Sequence, residues 1–188
     1  MPRLADQHLQ ERIAKEAHRL WRAKGEKGLT LRAVARAAGT TTTTLYKRFR
    51  NREALRYAVA ERVYRRLSSV LTSAPTVEEV YRRHLHFAET HPREYQLLFG
   101  TVWTEIFGPG RDRPIQTWLL AQLTARFGGD PRDYIAVHAA LFLTTHGAAS
   151  MLAAAPNHRA GVAVRQTCVA VCDALLENVQ GLRKKPSV

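Results

Sequence analysis

Residues 30–49, TLRAVARAAGTTTTTLYKRF, place small and apolar residues at the intervals of two short helices that cross closely. Ala35 is small enough to let a second helix approach. Gly39 permits the left-handed turn between the two, and Leu45 and Phe49, four apart, share one face of the second helix. Together with Ile13, Trp21, Val34 and Leu55 they make a candidate core. Thr42, Thr43, Tyr46, Lys47 and Arg48 are then turned outward. Threonine is stiff and leans toward strand, but here Thr41 is placed as the N-cap of the second helix, and Thr44 packs near its first turn.

Such a helix can enter a DNA major groove with its N-terminal residues at the base edges. A threonine hydroxyl can donate or accept there, and its methyl can meet a thymine methyl. Lys47 and Arg48 add phosphate attraction or a guanine contact. The same spacing also suits a plain helical turn whose charges are merely solvated. Charge distribution favours the first reading. Residues 1–66 hold 17 Lys/Arg against 6 Asp/Glu, an excess of eleven positive charges, whereas residues 67–188 hold 12 against 10. A polyanion-binding N-terminal third on an ordinary globular remainder follows.

Around this motif the pattern is helical throughout. Ile13, Ala17, Leu20 and Trp21 share a face, Thr30 is placed to cap a helix carrying Leu31, Val34, Ala35 and Ala38, and Asn51 to cap a fourth. Leu55, Val59, Val63, Leu67 and Leu71 run as an i, i+4 stripe along that fourth helix. Further helices are predicted over about 76–90, 93–107, 114–127, 132–154 and 162–181, with a frayed tail. The expectation is an all-α chain of about nine helices: a helix-turn-helix DNA-binding domain over residues 1–52, and a helical effector-binding and dimerisation domain over 53–188. No stretch reaches the ~18 uninterrupted apolar residues of a membrane span, and no secretory signal precedes the first helix. A cytoplasmic protein without membrane contact is expected.

The segment QERIAKEAHRLWRAKGEKGLTLRAVARAAGTTTTTLYKRFRNREALRYAVAERV resembles the N-terminal domain of TetR-type transcriptional regulators. The helix-one pattern with its KG turn, AxxAG, TLYxxF and xNREAL carry the likeness. The resemblance implies a homodimer whose paired helices read a near-palindromic operator in double-stranded DNA, as a ligand-responsive repressor. It places Thr30, Tyr46 and Arg52 at phosphate-holding positions, and Thr42, Thr43 and Lys47 in the groove. Two residues depart from the family pattern: Thr40 stands where an apolar residue is usual, and Thr43 where Gly or Ala is common. HPREYQLLFGT and LTTHGAASML resemble a subgroup marked by Trp-His-Gly, though Thr145 stands in place of the tryptophan.

In the C-terminal part Tyr95, Phe99, Trp103, Phe107, Trp118, Phe142 and His146 either line a largely apolar small-molecule effector pocket or simply pack a core. Cys168 and Cys172 read as buried thiols on one helical face. His84, His86, His91, His138 and His146 lack metal-ligand spacing, so no metal and no cofactor is expected. There is no GxSxG, HExxH or glycine-rich phosphate loop, and the Ser150–His146 spacing has no orienting acid, so no enzymatic role is expected.

Overall fold

The computed structural model describes residues 4–100, 108, 110–156 and 159–182. Ten α-helices and two short 3-10 turns account for the regular structure among them, with no strand: α1 (Leu4–Lys24), α2 (Leu31–Ala37), α3 (Thr42–Arg48), α4 (Arg52–Thr72), α5 (Val77–Thr90), α6 (Pro92–Phe99), α7 (Pro114–Phe127), α8 (Ile135–Ala154), α9 (Gly161–Glu177) and α10 (Val179–Leu182). The helix predicted over 93–107 ends at Phe99, Gly100 lies in a turn, and residues 101–107 lie outside the described residues. The last predicted helix divides into α9 and the single turn of α10.

The chain forms two compact units, Met1–Arg65 with Gln96–Pro109, and Arg66–Tyr95 with Gly110–Val188. In the first, Ile13, Ala17, Trp21, Val34, Leu45, Phe49 and Leu55 are all buried, as the apolar spacing predicts. Leu20 and Leu31 lie only half-buried at the edge of their faces. The side chain of Asn51 accepts from the N–H of Ala54 at 2.8 Å, capping α4. The α4 stripe from Leu55 to Leu71 is at most 1 % exposed.

In the second unit α8 packs on α5 and α9, and α9 on α5. Thr76 caps α5 through the N–H of Glu79 at 3.3 Å. Tyr81 on α5 hydrogen-bonds Asp173 on α9, and Arg165 pairs with Glu89. At the α5–α6 corner the Arg66 guanidinium lies 5.7 Å over the Phe87 ring, 3.4 Å from the buried carboxylate of Glu94 and 2.8 Å from Nε2 of His91. Because Arg66 can only donate, His91 accepts there and is neutral. Cys168 and Cys172 are free and buried, and the Cys172 sulfur lies 3.6 Å from the Thr145 hydroxyl.

The stretch Pro131–Ala154 is long and apolar enough to cross a membrane, with a mean hydropathy of 1.4, and 28 % of its most apolar window is buried. Its outward residues explain the figure. Ile135, Ala139, Leu143, Gly147, Met151 and Ala155 repeat every four residues and are all exposed, Leu143 at 66 % and Met151 at 62 %. On α9 Val162, Ala163, Thr167, Ala170, Val171 and Ala174 are exposed as well, together with the polar Arg165, Gln166 and Glu177.

Candidate nucleic-acid interface and a buried histidine–tyrosine cluster

The turn between α2 and α3 is fixed by main-chain bonds. The N–H of Gly39 donates to Arg36 O at 3.2 Å and that of Thr40 to Ala35 O at 2.9 Å, the paired bonds of a Schellman closure. Gly39 carries φ +61° there, the left-handed conformation its lack of Cβ allows. Nε of Arg12 on α1 donates to Ala38 O at 3.1 Å, occupying a carbonyl that the end of α2 leaves open. Thr40, the residue that departs from the apolar pattern, is half-buried and serves through its main-chain N–H.

Thr41 has extended geometry, φ −92° and ψ 156°, and its hydroxyl accepts from the N–H of Thr44 at 3.1 Å. It therefore caps α3 as the sequence predicts. From that cap four side chains point into solvent, Thr42, Thr43, Tyr46 and Lys47, with Tyr46 54 % exposed. Thr42 stands beside Tyr46 and Thr43 beside Lys47, each pair one helical turn apart. Leu45 and Phe49 are buried beneath them. Arg48, expected to turn outward, is half-buried.

Thr30 caps α2 by accepting from the N–H of Ala33 at 3.2 Å, and it is exposed. A hydroxyl used in this way keeps its own hydrogen for another acceptor. The Arg52 guanidinium reaches Leu29 O at 3.0 Å and Glu26 O at 2.5 Å, and lies 3.6 Å from the Glu26 carboxylate. Arg52 thus ties the start of α4 to the turn before α2, a structural role that sequence reasoning missed. Nothing in the spacing of residues 26 to 52 signals it, because the acceptors are main-chain oxygens.

In the second unit the Tyr95 hydroxyl lies 3.0 Å from Nε2 of His84 and 2.8 Å from Nδ1 of His146. One phenolic proton cannot serve both nitrogens, so one imidazole accepts from Tyr95 while the other donates to it. Burial, with His146 alongside, lowers the His84 pKa to about 3. Burial lowers His146 as well, and pushes the Tyr95 phenol up against a hydrogen bond from Ser150. All these groups are neutral near pH 7. On α8 the rings of His138, Phe142 and His146 lie nearly parallel, at 6.4 Å and 8° for the first pair and 5.5 Å and 4° for the second.

Of the aromatic residues singled out by sequence, the structure brings together Tyr95, Phe142 and His146. Trp118 is half-buried on α7, Phe99 belongs to the first unit, and Trp103 and Phe107 lie outside the described residues. His84, 6 % exposed, was weighed in the sequence only as a metal ligand, since a histidine on an amphipathic helix carries no signal of a buried hydrogen-bonded cluster. Among the described residues no group of three His, Cys, Asp or Glu is placed to hold a metal ion.

Residues 13–59 match the family described as bacterial regulatory proteins, tetR family. No curated protein sequence matches the chain. Among solved structures the fold is similar to the TetR transcriptional regulator SCO7222 of Streptomyces coelicolor, at 20 % identity and TM-score 0.67 over 93 % of this chain and 99 % of that one. It is also similar to TetR-Q116A from Acinetobacter baumannii AYE in complex with minocycline, at 17 % identity and TM-score 0.67 over 92 % and 97 %. A TetR-family regulator of Pectobacterium atrosepticum aligns over the whole of both chains at 18 % identity and TM-score 0.61. Residues 13–59 are therefore a TetR-family N-terminal DNA-binding domain, on a chain that has the fold of TetR-type transcriptional regulators.

Proposed function

We propose that the protein is a ligand-responsive repressor that binds a near-palindromic operator as a homodimer in the cytoplasm. The observation that carries this reading is the exposed face of α3, Thr42, Thr43, Tyr46 and Lys47, behind a capped N-terminus in the basic third of the chain. These four side chains enter the major groove, with Thr41 at the cap and Arg48 beside them at the DNA backbone, while Thr30 and Arg52 hold phosphates. DNA binding belongs to residues 1–52, and dimerisation and effector binding to 53–188.

Dimerisation is supported by the outward apolar rows of α8 and α9. Two copies of this pair would make a four-helix interface and remove Leu143, Met151 and Val162 from water. The effector is largely apolar, with its polar contacts made by Tyr95 and His146 beside Phe142, and with Trp118 as further lining. Minocycline binding by the A. baumannii structure lends support to a small-molecule site in this fold. A ligand preferring a dimer with misplaced recognition helices shifts the protein off DNA. The Thr145-His146-Gly147 segment fits the Trp-His-Gly subgroup apart from its first residue.

Selection of bound DNA from a random library tests this directly. Two half-sites about one helical turn apart, preferred over random duplex by ~10³-fold or more, are expected. Binding without such a preference would leave a sequence-indifferent nucleic-acid binder.

A further inference from the structure

The recognition face of α3 is unusual in what it lacks. The code of the major groove is read most sharply by side chains that make two hydrogen bonds to one base: Arg or Lys on guanine, Asn or Gln on adenine. Of the four exposed residues of α3 only Lys47, in its second turn, is of that kind. Thr42 and Thr43 occupy its first turn, and one turn later come Tyr46 and Lys47. The neighbouring threonine hydroxyls are engaged within the helix: Thr41 accepts from the N–H of Thr44 and donates to the Thr44 hydroxyl at 3.0 Å.

A single threonine hydroxyl both donates and accepts, so it satisfies any base edge and discriminates little. The discriminating group left on Thr42 and Thr43 is the γ-methyl. In the major groove its one apolar counterpart on a natural base is the C5-methyl of thymine. The ring of Tyr46 extends the same apolar row by one turn. Lys47, as a point charge on a flexible stem, adds attraction to a phosphate or to one guanine at the edge of the site.

We propose that the half-site read by α3 is a run of A·T pairs recognised through thymine methyl groups, with Thr42 and Thr43 as the specificity-determining residues. This rests on the reading of the protein as an operator-binding regulator. The surface suits such a target because two β-branched side chains on consecutive positions present two rigid methyls toward adjacent base pairs. Each has little rotamer freedom to lose on docking.

The experiment takes the half-site obtained by library selection and replaces each thymine in turn by deoxyuridine, which deletes only the 5-methyl. Binding of the full-length protein is then measured at one salt concentration. Two adjacent thymines should each lose about fourfold in affinity, the value of one buried methyl-sized group. Thr43→Ser keeps the hydroxyl and removes the methyl; it should bind the thymine site about fourfold more weakly and lose its response to uracil at one of the two positions. Both side chains are exposed, so the fold is not at risk, and a thermal melt verifies that. Uracil sites bound as tightly as thymine sites, or a selected half-site rich in G·C with no thymine opposite α3, would overturn the inference while leaving operator binding intact. A library that yields no preferred sequence would instead sink the regulator reading itself.

Discussion

The hydroxyl of Thr41 is bonded twice to Thr44, accepting from its main-chain N–H at 3.1 Å and donating to its side-chain oxygen at 3.0 Å. A seven-residue helix is too short to persist on propensity alone. This cap and the burial of Leu45 and Phe49 therefore hold α3 in shape. Thr41→Ala should cost about 1 kcal/mol in urea denaturation, and Thr41→Ser should restore most of it. An unchanged midpoint for the alanine variant would show the cap to be idle.

Gly39 sits at φ +61° with no heavy atom within 4 Å of where a Cβ would stand. Substitution there meets no clash, only the backbone cost of the left-handed region. Gly39→Ala should destabilise by about 1 kcal/mol, and Gly39→Asn by less, since asparagine tolerates that region. Equal losses for the two would point to packing in place of backbone strain.

Arg52 serves two carbonyls in the free protein and is proposed to hold a phosphate in the complex. The two roles separate by measurement. Arg52→Lys keeps the charge but not the forked donor geometry, so it should lower the melting temperature while leaving the salt dependence of DNA binding close to wild type. Arg52→Ala should lower both, reducing the salt slope by about 1. A lysine variant that melts normally would contradict the tie to Glu26 and Leu29.

His84 is buried as a neutral ring with its pKa depressed to about 3, and His146 is shifted in the same direction. Below the ordinary histidine value of about 6.5 the unfolded chain takes up protons that the folded cluster refuses. The stability these groups contribute is therefore intact above pH ~6.5 and is lost as pH falls toward 3. Urea midpoints should drop between pH 7 and 5, and His84→Gln, which can still bond Tyr95, should flatten part of that slope. A wild-type midpoint independent of pH over this range would refute the assignment.

The outward row of α8 offers a simple test of self-association. Leu143→Glu places a charge in the middle of that row, where the side chain is 66 % exposed and the monomer fold is little affected. Sedimentation should show a dimer for the wild type and a monomer for the variant. A wild-type monomer at micromolar concentration would remove the four-helix interface from the reading.

Much of this architecture was legible in the sequence because it is written in local chemistry. The caps at Thr30, Thr41, Asn51 and Thr76 and the left-handed Gly39 each depend on residues within a few positions. The α4 stripe depends only on repeating every four. What escaped were partners brought together from afar. Arg12 on Ala38 O and Arg52 on Leu29 O are 26 and 23 positions apart and end on main-chain oxygens, which carry no residue identity. His84, Tyr95 and His146 come from three helices, and only the packing of α8 on α5 makes them one group. Spacing also gave Arg48 an outward place, but at the end of this short helix, next to the buried Phe49, it is half-buried.

The five threonines from 40 to 44 are chemically identical, yet they serve a turn, a cap, an outward face and the packing of a first turn. Permuting them changes nothing, so the order within the run carries no information and its length sets the register. Gly39 fixes one end and Leu45 the other, like two pins through a blank tape. Removing or adding a single threonine would advance every later side chain by about 100° around the helix axis. Either Leu45 would leave the core, or the turn at Gly39 would have to open. Composition could drift to serine at several of these positions, but the count of five cannot drift at all.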